Sequence, residues 1–304
     1  MKELVVVSGK GGTGKTSIVA SFAVLAEGAV LADCDVDASD LHLVLEPTIL
    51  REVEFSGGSR ARILSDVCVG CAKCRQLCRF DAVHCDGPGN DFVEKTYRVD
   101  PIACEGCGVC AHFCPAEAIE FAPVASGRWY VSETRCGPMV HAKLGIAQEN
   151  SGKLVSVVRQ EAKKTAGERG LDVVLVDGAP GIGCPVIASI TASNLVLIVT
   201  EPTLSGLHDL ERVAELTRHF GIETLVAINK ADLNTDVCGE IKCRASERGL
   251  SVVGKVRYDR SVTEAQMSRQ AVVEYTAGGA AADVRHLWSE VSKKLNRSSP
   301  FVVL

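Results

Sequence analysis

Aromatic residues are scarce in this sequence, at 5% of its 304 residues. The apolar share is still 46%, and Val, Ala, Leu and Ile carry it. That composition suits parallel strands covered by helices. Basic charge is also short. With a formal net charge of −5, no broad positive field marks a binder of nucleic acid or anionic membrane. No apolar run reaches the ~18–20 residues that a bilayer span requires. The opening stretch MKELVVVSGK has no secretory n-region, long h-region or small-residue cleavage site, so a cytoplasmic protein is expected. One residue is in surplus: there are 14 cysteines. Without a secretory signal they do not read as a disulfide scaffold, and cysteines serving metal in a reducing compartment are the better expectation.

The chain length suits one large α/β domain and one small one. LVVVS at 4–8 and VLAD at 30–33 read as buried strands, with TSIVASFAVLAE at helical spacing between them. This is a βαβ unit. The rhythm breaks near residue 50, and FSGGSRAR at 55–62 reads as a Gly/Ser/Arg linker. It resumes near 127, with a helix over 151–170, strands at 172–177, 195–200, 223–230 and 252–256, a helix at 207–221 ending on glycine, and an amphipathic helix at 284–295. The expected fold is a doubly wound, mainly parallel α/β sheet of P-loop type, interrupted by a small inserted α+β domain. The expected boundaries are 1–58, 59–124 and 125–304.

Gly9-Lys10-Gly11-Gly12-Thr13-Gly14-Lys15-Thr16 matches G-x-x-x-x-G-K-[ST] between a strand and a helix. Backbone amides of Gly11, Gly12, Thr13, Gly14, Lys15, Thr16 and Ser17 are candidates to cradle phosphates at the helix N-terminus. Lys15 should reach the β- and γ-phosphates, and the Thr16 hydroxyl should ligate Mg²⁺. KGGTGKT, with its extra Lys10, resembles the deviant Walker A motif of the MinD/Mrp/ParA class of P-loop ATPases, and also that of the nitrogenase iron protein. The resemblance implies ATP hydrolysis by a homodimer, or a dimer with a close paralogue. Two ATP molecules would lie between the subunits, with Lys10 crossing to the partner's nucleotide.

Carboxylates at the carboxyl ends of strands beside a P-loop can hold Mg²⁺ and orient water. Asp33-Cys34-Asp35 follows the second strand in LADCDVDASDL. The resemblance gives Asp35 the attacking water and Asp33 the magnesium's outer shell, with Asp37 and Asp40 close by. VVLVDGAPGIG at 173–183 resembles the Walker B strand and second switch. There Asp177 is the Mg²⁺-linked carboxylate, and Gly178, Gly181 and Gly183 permit movement when the γ-phosphate leaves. Asn229 matches the family's adenine-contacting asparagine. Asn229-Lys230-Ala231-Asp232 also looks like the N-K-x-D motif that reads guanine; ATP is favoured over GTP.

Residues 68–78 read CVGCAKCRQLC, and 104–115 read CEGCGVCAHFCP. Each is C-x₂-C-x₂-C-x₃-C followed by an apolar tail, an internal repeat. The pair resembles the bacterial two-cluster ferredoxin pattern, in which the fourth cysteine of each run serves the other cluster. It implies two 4Fe-4S clusters, one on Cys68, Cys71, Cys74 and Cys114, the other on Cys104, Cys107, Cys110 and Cys78. Eight cysteines could instead hold two zinc ions. Arg79 stands where proline is usual, and a cation there is expected to raise one cluster's potential.

Six cysteines remain. Cys34, Cys85, Cys136, Cys238 and Cys243 are expected to be mostly small buried hydrophobes, and Cys238-x₄-Cys243 is expected on a helix. Cys184 lies at the offset of a cluster-ligating cysteine in the second switch of the nitrogenase iron protein, which implies a place near the dimer interface. His141 is expected in the core, with the ATPase cleft as the alternative. Lys293, Lys294 and Arg297 are few for a membrane-binding terminal helix, so core packing is expected there.

The whole chain resembles MinD-superfamily ATPases carrying an inserted ferredoxin domain. The implied function couples an ATP-driven dimer switch to electron transfer to, or metal-cluster assembly on, a redox or metal-cluster protein. An iron–sulfur scaffold or carrier with ATP-gated release, and a MinD- or ParA-like positioning ATPase, are the alternatives. No nucleic-acid or membrane partner is expected.

Overall fold

The computed structural model describes residues 1–145 and 151–298. These form two compact units, one from residues 1–53, 128–145 and 151–298, the other from residues 54–127.

The first unit opens with β1 (Lys2–Ser8), α1 (Lys15–Leu25), β2 (Ala29–Asp33) and the short α2 (Leu41–Leu45). A long strand, β3 (Thr48–Ile63), leads into the second unit. That unit holds α3 (Lys73–Leu77), β4 (Val83–Gly87), β5 (Thr96–Val99) and α4 (Val109–His112). A second long strand, β6 (Ile119–Thr134), returns to the first unit and turns into β7 (Gly137–Leu144). Then follow α5 (Ser151–Arg169), β8 (Val173–Pro180), α6 (Cys184–Ile190), β9 (Leu195–Thr200), α7 (Leu204–His219), β10 (Thr224–Asn229), α8 (Thr235–Glu247) and β11 (Ser251–Val256). The chain closes with α9 (Ser261–Met267), α10 (Val272–Tyr275) and α11 (Ala280–Arg297).

The nine-stranded sheet runs β11-β10-β9-β1-β8-β2-β7-β6-β3. Its neighbours from β11 to β7 are all parallel. Its central strands are apolar at nearly every position because both faces are covered. Leu4, Val6, Leu31, Leu175 and Leu197 pack in one core with Phe22 of α1 and Leu287 of α11. The alternating residues Val5, Val7, Val30, Val176 and Ile198 are equally buried, on the face served by α5, α6 and α7. This mainly parallel P-loop architecture is the one expected.

Three local expectations need correction or detail. FSGGSRAR is no linker but the second half of β3. Gly57 and Gly58 stay out of the left-handed region, the Gly57 amide donates to Ser126 Oγ at 2.6 Å, and Phe55 and Ala61 are buried. Pairing along the sheet overrides a loop-like composition. The terminal amphipathic helix lays Val284, Leu287, Val291 and Leu295 into the core, as expected. Cys238 and Cys243 do share a helix, α8, with Cys238 buried and Cys243 exposed.

The second unit repeats itself. Gly70 and Ala72 after Cys68 have φ of 67° and 63°, and Gly106 and Gly108 after Cys104 have 63° and 74°. Asp81 and Glu117, at matching places beyond each run, have 49° and 50°. Left-handed conformations recur at the same offsets, and each run then enters a short helix, α3 or α4.

Candidate functional site

The P-loop hangs between β1 and α1. Gly12 and Gly14 are left-handed, at φ of 78° and 86°, and Lys15 begins the helix. Gly14 has a second reason to be glycine: a Cβ there would stand 2.2 Å from Asn229 Nδ2. That same nitrogen donates to the Thr13 carbonyl at 2.7 Å, so Asn229 braces the loop from the end of β10.

Three carboxylates converge on Lys15. Parallel pairing of β2 with β8 sets Asp33 opposite Asp177, both fully buried. Lys15 Nζ lies 2.5 Å from Asp177 Oδ1 and 3.5 Å from Asp35 Oδ2. The Thr16 hydroxyl donates to Asp177 Oδ2 at 2.8 Å. Asp33 accepts from Ser39 Oγ at 2.6 Å and from the Asp35 amide at 3.2 Å. Burial, with Asp177's charge added, pushes the Asp33 carboxyl up to about 7. Burial also raises Asp35. Burial alone would lower Lys15, but Asp177 and Asp35 carry it above its ordinary value. Three carboxylates facing one ammonium favour further positive charge, and the Thr16 hydroxyl beside Asp177 matches a hard cation's oxygen ligands. The donor set fits Mg²⁺.

A cavity of about 480 Å³ opens over the loop. Beyond the P-loop its wall includes Lys230, Tyr258, Asp259 and Gln266. Thr13 lines this cavity, and its Oγ1 is buried without a hydrogen-bond partner, an uncompensated cost in this arrangement. Asp232 Oδ1 accepts from the Tyr258 amide at 2.7 Å. It is therefore engaged in holding a loop. Gly178 permits close approach behind the second switch, since a Cβ there would meet Val6 O at 2.9 Å, and the Gly181 amide donates to Ser8 O at 2.8 Å. Cys184 is exposed at the start of α6. His141 is buried in the core, with Nε2 at 2.9 Å from Ser132 Oγ and its ring stacked on Tyr130.

Sequence reasoning missed Glu201, which joins two loop lysines. Lys10 Nζ lies 2.6 Å from Glu201 Oε1, and Lys230 Nζ lies 3.0 Å from Oε2. One signal could have found it. Glu201 directly follows the apolar strand LVLIVT, and carboxyl ends of strands line the ligand crevice of such sheets.

The eight run cysteines lie in the second unit. Cys68 and Cys74 are buried, and Cys71 and Cys107 are exposed. Burial pushes the Cys74 thiol up to about 11, with Cys68, Cys71 and Cys110 adding to it electrostatically. Burial also raises Cys110, whose interacting neighbours are Cys104, Cys107 and Cys78. Cys114 Sγ accepts from the Ala118 amide at 3.3 Å. Among the described residues, no group of three or more His, Cys, Asp or Glu is arranged to hold a metal ion. Cys243 Sγ turns to Glu247 Oε1 at 3.6 Å, away from buried Cys238.

Comparison with known proteins narrows the reading. An uncharacterized protein of Methanocaldococcus jannaschii is 35% identical over 236 residues, 76% of this chain and 79% of that one. Among solved structures, the chain is similar in fold to the septum site-determining protein MinD from Pyrococcus horikoshii, complexed with Mg-ADP. The TM-score is 0.57 and the identity 18%, with 96% of each chain covered. The Pyrococcus furiosus cell division ATPase MinD gives a TM-score of 0.55 at 17% identity, over 96% of this chain and 98% of that one. The family model described as the CobQ/CobB/MinD/ParA nucleotide binding domain, CbiA, matches residues 4–272, and the chain belongs to that family.

Proposed function

We propose that the chain is a Mg²⁺-dependent ATPase whose nucleotide-driven dimer serves an iron–sulfur unit. The observation that carries this reading is the junction of two features in one chain. One is a P-loop braced against Asp177 and Asn229; the other is a duplicated cysteine turn. In the ATPase step, loop amides and Lys15 neutralise the phosphates. Thr16 and Asp177 would hold Mg²⁺, with Asp33 behind them. Asp35, 15% exposed beside Lys15, orients the attacking water. Lys10 acts on the nucleotide of a second copy, or of a close paralogue. The deviant Walker A loop with Lys10 favours ATP over GTP.

The cysteine unit fits a four-iron cube better than a single ion. Two C-x₂-C-x₂-C-x₃-C runs match the two-cluster ferredoxin pattern more specifically than they match a pair of zinc sites. The electrostatic neighbours of Cys110 are Cys104, Cys107 and Cys78, the second ligand set, whereas those of Cys74 are Cys68, Cys71 and Cys110, without the Cys114 of the first set. Left-handed residues at Gly70, Ala72, Gly106 and Gly108 turn successive amides into concave nests that suit an anionic cluster. When bound, two 4Fe-4S clusters would supply one-electron storage for a redox or metal-cluster partner protein. Cys184, exposed after the second switch, would lie toward the dimer interface. Cys184→Ala should weaken dimerisation or partner activation without lowering nucleotide affinity.

Anaerobic purification tests the reading. About eight irons per chain, a 4Fe-4S electron paramagnetic resonance signal on reduction, and ATP hydrolysis abolished by Lys15→Ala are expected. Zinc in place of iron would sink the iron–sulfur part. Iron that moves to an apo-protein on ATP addition would favour the carrier form. The likeness to septum-site MinD supports a positioning ATPase as a second reading. It predicts ATP-dependent membrane binding, but α11 has buried its apolar stripe in the core.

A further inference from the structure

The second unit carries its own internal control. Its two cysteine runs build the same turns, with left-handed residues at matching offsets. Lys73, Arg75 and Arg79 in the first run correspond to Val109, Ala111 and Pro115 in the second. The second run enters its short helix with no cation at any of these places. The turn itself therefore does not require three positive charges.

Nor are these charges engaged by neighbours. Arg62 and Arg98 of the same unit are paired with Glu120 and Asp86. Among the described residues, Lys73, Arg75 and Arg79 take part in no ion pair. All three are exposed. Of the five residues of α3, only Cys74 is buried, and Leu77 and then Phe80 stand exposed beside the cations. Lys73 Nζ lies 5.7 Å from the ring centre of Phe113, another exposed side chain. Exposed apolar groups beside unpaired cations have the anatomy of an interface.

The two runs also differ in what backs them. A Cβ on Gly106 would stand 2.2 Å from the Ser59 carbonyl oxygen, so the first turn of the second run is seated on β3. A Cβ on Gly70 would meet the Val93 side chain at 2.8 Å, in the loop between β4 and β5. One run is backed by a long strand and the other by a loop. The cations mark the loop-backed run.

We propose that the face of the first run is the docking surface for an acidic redox protein. Lys73, Arg75 and Arg79 steer that partner onto the cluster held by Cys68, Cys71 and Cys74, and Leu77, Phe80 and Phe113 supply the apolar contact. Opposite charge raises the encounter rate and fixes the orientation. Each productive encounter passes one electron: a reduced 4Fe-4S cluster returns to its oxidised state, and the partner's redox centre gains the electron. The proposal rests on the iron–sulfur reading above.

The test uses the anaerobically purified full chain, its iron counted first. An acidic flavodoxin is the probe, and a basic cytochrome c is the opposite-charge control. Dithionite supplies the electrons and its excess is removed. In stopped flow, electron transfer to flavodoxin should slow as salt rises. At low salt the double variant Lys73→Gln/Arg75→Gln should slow it by roughly five- to tenfold, with iron content unchanged. Transfer to cytochrome c should not slow, and Lys73→Arg/Arg75→Lys should keep the parent rate. A second readout needs no turnover. Carbodiimide should join Lys73 to flavodoxin carboxylates in the oxidised proteins, read by mass spectrometry, and high salt should abolish the link. Normal iron with no effect of the double variant, or with cross-links that avoid Lys73, overturns the docking surface alone. Lys73 cross-linked to a second copy, or phosphatidylserine vesicles bound by the parent and not by the double variant, would put another occupant there and overturn it too. A chain without iron overturns the iron–sulfur reading, and this proposal falls with it.

Discussion

The two units of this chain solve opposite problems. Residues 54–127 contribute few buried apolar side chains, among them Phe55, Ala61, Ala82, Val83 and Ala118. Of the 20 large apolar side chains that stand exposed among the described residues, nine lie in that segment, including Ile102 at 89% and Phe92 at 66%. It is therefore too small and too open for its core to hold it. Chains below ~70–80 residues usually need a metal or a disulfide staple. The first unit has a deep two-faced core and a site already tied by hydrogen bonds. The contrast teaches that one half is organised by burial, while the other, on the reading proposed above, is completed by what its cysteines bind.

The largest effect should come from Lys15. Replacing it with Ala removes the charge that faces the phosphates and leaves Asp33, Asp35 and Asp177 without their cation. Hydrolysis, followed by phosphate release, should fall on the order of 10²–10³-fold. Iron content should stay at the parent level, because Lys15 belongs to the unit that burial organises. Loss of iron together with activity would break the contrast.

Metal removal probes the other half. Anaerobic chelation should expose residues 54–127 to limited proteolysis, with cleavage faster on the order of tenfold or more. The thermal midpoint of the remaining unit should move little. Cys107→Ser should do the same for half of the iron. Cooperative collapse of both units on chelation would show that the cysteine unit supports the ATPase fold after all.

Legibility followed the same divide. β1, β8, β9 and β10 were plain from β-branched runs because strands buried on both faces need no polar alternation. The P-loop, Asp33, Asp35 and Asp177 were legible because chemistry ties them to strand ends. β3 was hidden because a Gly/Ser segment carries no side-chain signal when its pairing partner, β6, lies far along the chain. β7 was missed because Gly137 and Pro138 open it and the buried His141 interrupts its apolar run. Glu201 shows its place at a strand end in the sequence, but not its partners. Its two lysines lie on other loops, and only the parallel sheet brings all three together.

A pH series sharpens the account of the first unit. His141 is held near 4, below its ordinary value, by burial first and then by His42. It is neutral when folded and takes a proton on unfolding. Its contribution to stability is therefore present above about 6.5 and lost as the pH falls from there toward 4. The loss should reach about 2–3 kcal/mol in urea unfolding of that unit. His141→Gln, which can still meet Ser132, should flatten the slope. An equal slope in parent and variant would place the titration elsewhere.

The smallest effect belongs to Arg79. Its place after Cys78 led to the expectation that its cation raises one cluster potential. Arg79 is exposed, however, so water and salt screen its charge. Arg79→Pro should lower one potential only slightly in protein-film voltammetry at low salt, and the shift should vanish at high ionic strength. Arg79→Gln should behave alike, because charge, not turn shape, is the cause. A shift that survives high salt, or appears only with Pro, would mean that the turn conformation sets the potential. The backbone of the second unit, and not its surface charge, would then be what distinguishes its two cysteine runs.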